Sequence, residues 1–278
     1  MSELQWWCSA QATAWSWTWR PYPGVWLFVA LAAVVYWRLA RRGADASASP
    51  GRTAAAVAAI AVLWLTLDWP VGALGAGYLA SVHSVQFIAL AMIVPPLMLL
   101  GVAPARWAAL AERAGAVRVL RRVTQPLLTM LTFALVMLVT HAPLVVDGLM
   151  ATQAGSFLLD MLWLGSGLLF WWPILSPVPA HQRFGPPLQI PYLFVGTVGH
   201  VFLAMWLLLA EFPVYATYEL APRIPGFAAV ADQQMAGGVL LLLGTPLVLL
   251  TISVIFFRWM GSDGEGARAD EGTGARMG

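Results

Sequence analysis

Residues Ala80–Leu100 read ASVHSVQFIALAMIVPPLMLL. About 20 mostly apolar residues suffice to cross a bilayer as a helix, yet this stretch opens with Ser81, His83, Ser84 and Gln86. His83 and Gln86, three residues apart, share one helix face. An imidazole and a carboxamide at membrane depth are costly unless they face a partner, a cavity or an ion. The stretch closes on Pro95-Pro96, which neighbouring spans tolerate by re-satisfying the freed backbone groups. It predicts a span with one polar wall, around which the other spans assemble.

Composition agrees. Of 278 residues, 60% are hydrophobic and 10% charged, against roughly 25% charged in soluble domains. With a mean hydropathy of +0.76, the expectation is an all-α integral membrane protein. The net charge of +2 does not point to nucleic acid, because the basic residues, all arginine, sit in short loops as topology signals do. The single cysteine, Cys8, excludes an internal disulfide. The first residues lack a basic region followed by an apolar core, so no cleavable signal peptide is expected.

Seven spans are predicted, over about 24–37, 53–70, 78–100, 126–146, 157–175, 188–209 and 235–259. Arg38, Arg41, Arg42 and Arg52 lie between spans one and two, and Arg106, Arg113, Arg118, Arg121 and Arg122 between three and four. His181 and Arg183 lie between five and six, and Arg258 closes span seven. The alternate loops hold mainly Asp147, Glu211, Glu219, Arg223 and Asp232. The positive-inside rule then sets the amino terminus outside and the carboxyl terminus in the cytoplasm.

Three regions follow: an outer-face aromatic segment at 1–23, a seven-helix membrane domain at 24–259, and a disordered cytoplasmic tail at 260–278. Trp6, Trp7, Trp15, Trp17, Trp19 and Tyr22 are expected to form an interfacial belt. Residues 104–122 read as a helix on the inner surface, where a cytoplasmic partner could also sit.

In this topology the polar residues gather near the outer face: Asp68, His83, Gln86, His141, Asp147, Asp160, Asp232, Gln233 and Gln234, with His200 closer to the midplane. A shared outer-facing site is the expectation. Plainer roles stand beside it: Asp68 as a helix end, Asp147 as a boundary residue, His200 as a hydrogen-bond partner of a neighbouring helix. His83, His141 and Asp160 form a candidate metal-ligand set. Two imidazoles and a carboxylate suit a first-row transition metal better than magnesium or calcium. No Ser-His-Asp set, Gly-rich phosphate loop, CxxC or HExxH occurs, so no enzymatic activity is expected.

Four landmarks appear in order: SVHSVQFIALAMIVPPLMLLG from Ser81, THAPLVVDGL from Thr140, GLLFWWPILSP from Gly167 and ADQQMAGG from Ala231, with Asp68-Trp69-Pro70 before them. Together they resemble the seven-helix, CtaG-type cytochrome c oxidase assembly proteins of bacteria. The resemblance implies a multi-pass protein of the bacterial cytoplasmic (inner) membrane. Its partners would be cytochrome c oxidase subunits, and copper would be handled near the outer face. Two positions depart from the family pattern: Phe87 stands where a second histidine is usual, and Leu159-Asp160 where a Glu-His pair is usual. They leave room for a scaffold or subunit of a respiratory complex without metal binding. An ion or proton transporter is the third alternative, without the symmetric pair of broken helices expected of one.

Overall fold

The computed structural model describes residues 4–41, 49–113, 115, 117–175 and 185–274, and every regular element among them is helical. Proline opens many of the helices: α1 (Pro23–Arg41), α2 (Pro50–Leu67), α6 (Pro104–Arg113), α8 (Pro126–Thr140), α9 (Pro143–Met150) and α11 (Pro186–Leu209). At a helix start its missing N–H removes no bond, and its fixed φ favours the helix. Five helices are long and apolar enough to cross a membrane: α2, the broken helix Ala80–Leu100, α10 (Gln153–Leu175), α11 and Ala229–Gly261. A sixth arises if α7 (Val117–Val123) and α8, bent by 62°, count as one. The protein is a multi-pass membrane bundle of helices.

The predicted stretches fall largely on helix, but the fourth, 126–146, is broken at His141 between α8 and α9. The first, apolar over Pro23–Leu39, rises only about 26 Å, short of a hydrocarbon core of about 30 Å. Two helices were not anticipated: α3 (Val71–Gly77), which follows a cis Trp69-Pro70 bond and leads into the site, and the short turn Ala216–Glu219.

Ala80–Leu100 consists of α4 (Ala80–Ile88), a π-helical turn (Ala89–Ile93) and α5 (Val94–Leu100). Pro95 cannot donate to the carbonyl of Ala91, and its ring would strike that oxygen in a regular α-helix. Widening to a π turn relieves the conflict. Gly167 of α10 lies against the Ala91 carbonyl and Pro95, where any Cβ would collide, so the two helices approach closely, as small residues allow in membranes. A second π turn, Leu240–Gly244, joins α13 (Ala229–Val239) to α14 (Thr245–Gly274) ahead of Pro246.

Helix contacts close a ring: α4 with α13, α13 with α11, α11 with α8, α8 with α10, and α10 with α5 and the first π turn. α2 packs on α5 from outside the ring, and α1 on α2. The starts of α4, α10 and α13 thus meet the ends of α8 and α11 at one end of the bundle, where the polar residues collect.

The amino-terminal segment corrects the expectation of an interfacial belt. Trp17 and Trp19 are exposed, but Trp7 and Tyr22 are each 1% exposed and belong to the core. The segment is strapped across the bundle: the Trp6 and Trp7 amides donate to the Gln153 carboxamide at 2.7 and 3.2 Å, and the Ala10 amide to the Met150 carbonyl at 2.9 Å. Burial, with the Asp160 and Asp68 carboxylates nearby, pushes the Cys8 thiol well above its usual range. At the other terminus α14 continues to Gly274, into the tail expected to be unstructured. Propagating a helix already nucleated by an apolar span costs far less than starting one. Arg42, His181, Arg183 and residues 275–278 lie outside the described residues.

Candidate functional site

His83 sits on the first full turn of α4, its amide donating to the Leu79 carbonyl at 3.1 Å. His141 caps the end of α8. The two imidazoles are 3% and 2% exposed, and their ring centres lie 5.9 Å apart with planes inclined 71°. Trp163 of α10 touches both, edge-on to His83 at 4.8 Å and stacked on His141 at 5.6 Å. Phe87 packs edge-on against His141 at 4.8 Å, and Tyr218 against His83 at 5.7 Å. The pair thus occupies a buried aromatic box.

Hydrogen bonding fixes half of this chemistry. His141 Nδ1 lies 2.8 Å from the Met137 carbonyl, which can only accept, so Nδ1 carries the proton and Nε2 keeps a free lone pair. Among the described residues, that Nε2 is buried with no hydrogen-bond partner of good geometry, as are both ring nitrogens of His83, beside which the Gly75 backbone lies. Unsatisfied buried polar atoms are rare in native proteins, and three of those found here gather on two facing rings. The Trp163 indole N–H donates to Thr140 Oγ1 at 2.9 Å, and the Tyr215 hydroxyl to the His141 carbonyl at 3.0 Å. Both hold the box from outside it.

The third residue of the expected ligand set does something else. Asp160 accepts the Trp7 indole N–H at 2.8 Å, one helical turn before Trp163. Among the described residues no group of three or more His, Cys, Asp or Glu is spaced to hold a metal.

The remaining polar residues brace the site. Asp232 accepts the amides of Ala80 and Ser81 at 2.6 and 3.3 Å and the Ser81 hydroxyl at 2.5 Å. It caps α4 from another helix, which Leu79 at the N-cap cannot do. Gln233 accepts the Val214 amide at 2.7 Å and donates to the Phe212 carbonyl at 3.2 Å, while Gln234 donates to the Ala210 carbonyl at 3.3 Å. Together they pin the chain leading to α12 (Ala216–Glu219). Asp147 caps α12 through the amides of Ala216 and Thr217, at 3.2 and 2.8 Å. Gln86 donates to the Thr66 carbonyl at 3.1 Å and fills the space that the missing side chain of Gly75 leaves. Asp68 accepts the indoles of Trp26 and Trp64 at 3.0 and 2.8 Å. His200 stands apart, bonding Thr245 Oγ1 at 3.2 Å, as a neighbouring-helix partner would.

Sequence reasoning missed Trp163, Tyr215 and Tyr218. Trp163 lies one turn after an intramembrane carboxylate, and the two tyrosines are spaced three apart between acidic residues; those were the available signals.

Comparison with known proteins adds the family. The model of the family described as cytochrome c oxidase caa3 assembly factor matches residues 12–262. Two uncharacterized proteins, one of Mycobacterium bovis and one of Mycobacterium tuberculosis, are each 29% identical over 98 residues, 35% of this chain. The match spans 15% of each relative's own length. No solved structure matches the chain.

Proposed function

The chain belongs to the cytochrome c oxidase caa3 assembly factor family, and from that premise we propose that it carries copper, as cargo, during assembly of a haem–copper oxidase. The observation that carries the proposal is the buried pair His83 and His141, facing each other with three ring nitrogens that find no well-formed hydrogen bond among the described residues. Two imidazoles bridged by one first-row metal ion, at about 2.0–2.1 Å per bond, have ring centres roughly 6 Å apart; here the separation is 5.9 Å. Two nitrogen donors fill neither the four positions of tetrahedral zinc nor those of tetragonal copper(II). They suit Cu(I), and a weakly coordinated ion passes readily to a partner with more ligands.

The residues around the pair have distinct tasks. The Met137 carbonyl holds His141 in the tautomer whose Nε2 is free, as ligand-orienting partners do at metal sites. Phe87 and Trp163 exclude water. Asp160, bonded to Trp7, holds the amino-terminal strap against α10 and makes no bond to the ion. The role is non-catalytic. The protein crosses the bacterial cytoplasmic membrane seven times, α1 being the short span, with the amino terminus outside and the carboxyl terminus in the cytoplasm, so that the buried pair lies at the outer end of the bundle, on the side of the oxidase's copper-receiving subunits.

A deletion strain tests the function. It should make oxidase subunits yet assemble oxidase deficient in copper. The intact gene should restore it, and His83→Leu or His141→Leu should not. Full rescue by both variants would leave a scaffold role without metal as the account. A reporter fused after Gly278 should be active only in the cytoplasm; periplasmic activity would overturn the orientation.

A further inference from the structure

The histidine pair is sealed, so an ion needs a way in. A shallow cleft opens beside it, lined by Tyr78, Leu79, Tyr218, Arg223, Phe227 and Asp232. Tyr218 is shared: it lines the cleft, and its ring centre lies 5.7 Å from that of His83. Tyr218 therefore borders both the cleft and the imidazole.

We infer that Tyr218 is the gate through which the ion reaches His83. Its ring is kept shut by a hydrogen bond from its hydroxyl to the Gly75 carbonyl at 2.6 Å, and Tyr215 packs edge-on behind it at 6.0 Å. Tyr218 belongs to α12, a single four-residue turn between extended segments. Asp147 and Gln233 hold α12 and the chain before it. The segment after it turns at Gly226, whose φ of 89° favours glycine, and its Phe227 amide bonds locally to the Ile224 carbonyl. A short element anchored on one side, with a locally bonded loop on the other, opens without disturbing the bundle.

The gate rests on the copper reading only for the identity of the ion, and its test does not use copper. Diethyl pyrocarbonate acylates unprotonated imidazole, and mass spectrometry of the full-length protein in mild detergent reports each histidine separately. Tyr218→Ala should speed modification of His83 by more than about ten-fold, since no ring remains to close the path. Tyr218→Phe keeps the ring and loses the bond to Gly75; it should speed modification about five-fold, the weight of one neutral hydrogen bond. His200, bonded to Thr245, should react at the wild-type rate in both, and Trp7→Phe should leave His83 unchanged. Unchanged His83 rates in both tyrosine variants would overturn the gate. So would acceleration in the Trp7 variant alone, which would put the path beneath the amino-terminal strap. Ag(I) uptake separates the two proposals. If His83 reacts faster but neither wild type nor variant takes up Ag(I), the gate stands and the copper reading falls. Faster uptake at unchanged affinity supports both.

Discussion

Replacing Asp232 by alanine should unfasten the first turn of α4, and with it His83. The carboxylate holds two backbone amides and a hydroxyl from a helix 152 residues away in sequence, and Asp232 is 3% exposed. Hydrogen bonds to charged groups contribute about 1.5–3 kcal/mol each, but these three share one group and do not add. The loss should be about 2–3 kcal/mol, the cost of leaving buried donors at a helix start without their cap. Asp232→Asn retains one acceptor oxygen and should lose about 1–2 kcal/mol. Unfolding by SDS titration in mixed micelles gives the free energies. Amide hydrogen exchange gives the location, with faster exchange expected at residues 80–84 and not in α11. A loss within about 0.5 kcal/mol for the alanine variant, the scale of an inert surface change, would refute the reasoning. So would equal losses for alanine and asparagine.

Trp7→Phe and Asp160→Asn should each destabilise, and the double variant should cost less than their sum by about 1 kcal/mol, the weight of one hydrogen bond; a coupling near zero would separate them. Gly75→Ala should lower thermal stability in detergent, because the added methyl meets the Gln86 carboxamide and the His83 amide; an unchanged midpoint would contradict the close packing. Cys8 should make stability pH-dependent. Its folded pKa is raised by burial, so stability is intact below the unfolded value of about 8.5 and falls above it by up to about 1.4 kcal/mol per pH unit. Cys8→Ser should abolish that fall, as denaturant titrations at pH 7.5 and 9.5 would show. Phe87→His should add an imidazole against His141 and raise Cu(I) affinity at least about ten-fold, whereas Asp160→His alone should only remove the partner of Trp7; competitor titrations distinguish the two.

Much of this architecture is written locally. Apolar length marked the spans, and the intramembrane polarity of His83 and His141 singled out two rings that the fold brings together, because cost at membrane depth is a property of single residues. What each polar residue does was not legible. Asp232 reads as part of a polar cluster, yet it is the N-terminal cap of α4; Asp147 likewise caps α12. Caps supplied from another helix leave no spacing to detect. Trp7 reads as one of six interfacial aromatics, and only Asp160, 153 residues on, distinguishes it from Trp17. Asp160 looked like a ligand because its partner, an indole N–H near the amino terminus, carries no charge to announce itself.

Titration of purified protein with Cu(I) against a chromogenic competitor tests the central claim most directly, with X-ray absorption reading the ligands of the bound ion. The account predicts one Cu(I) per chain, held by two nitrogens, lost in His83→Leu and in His141→Leu and retained in His200→Leu. Absence of bound Cu(I) in the wild type, or equal binding after loss of either paired histidine, would contradict it.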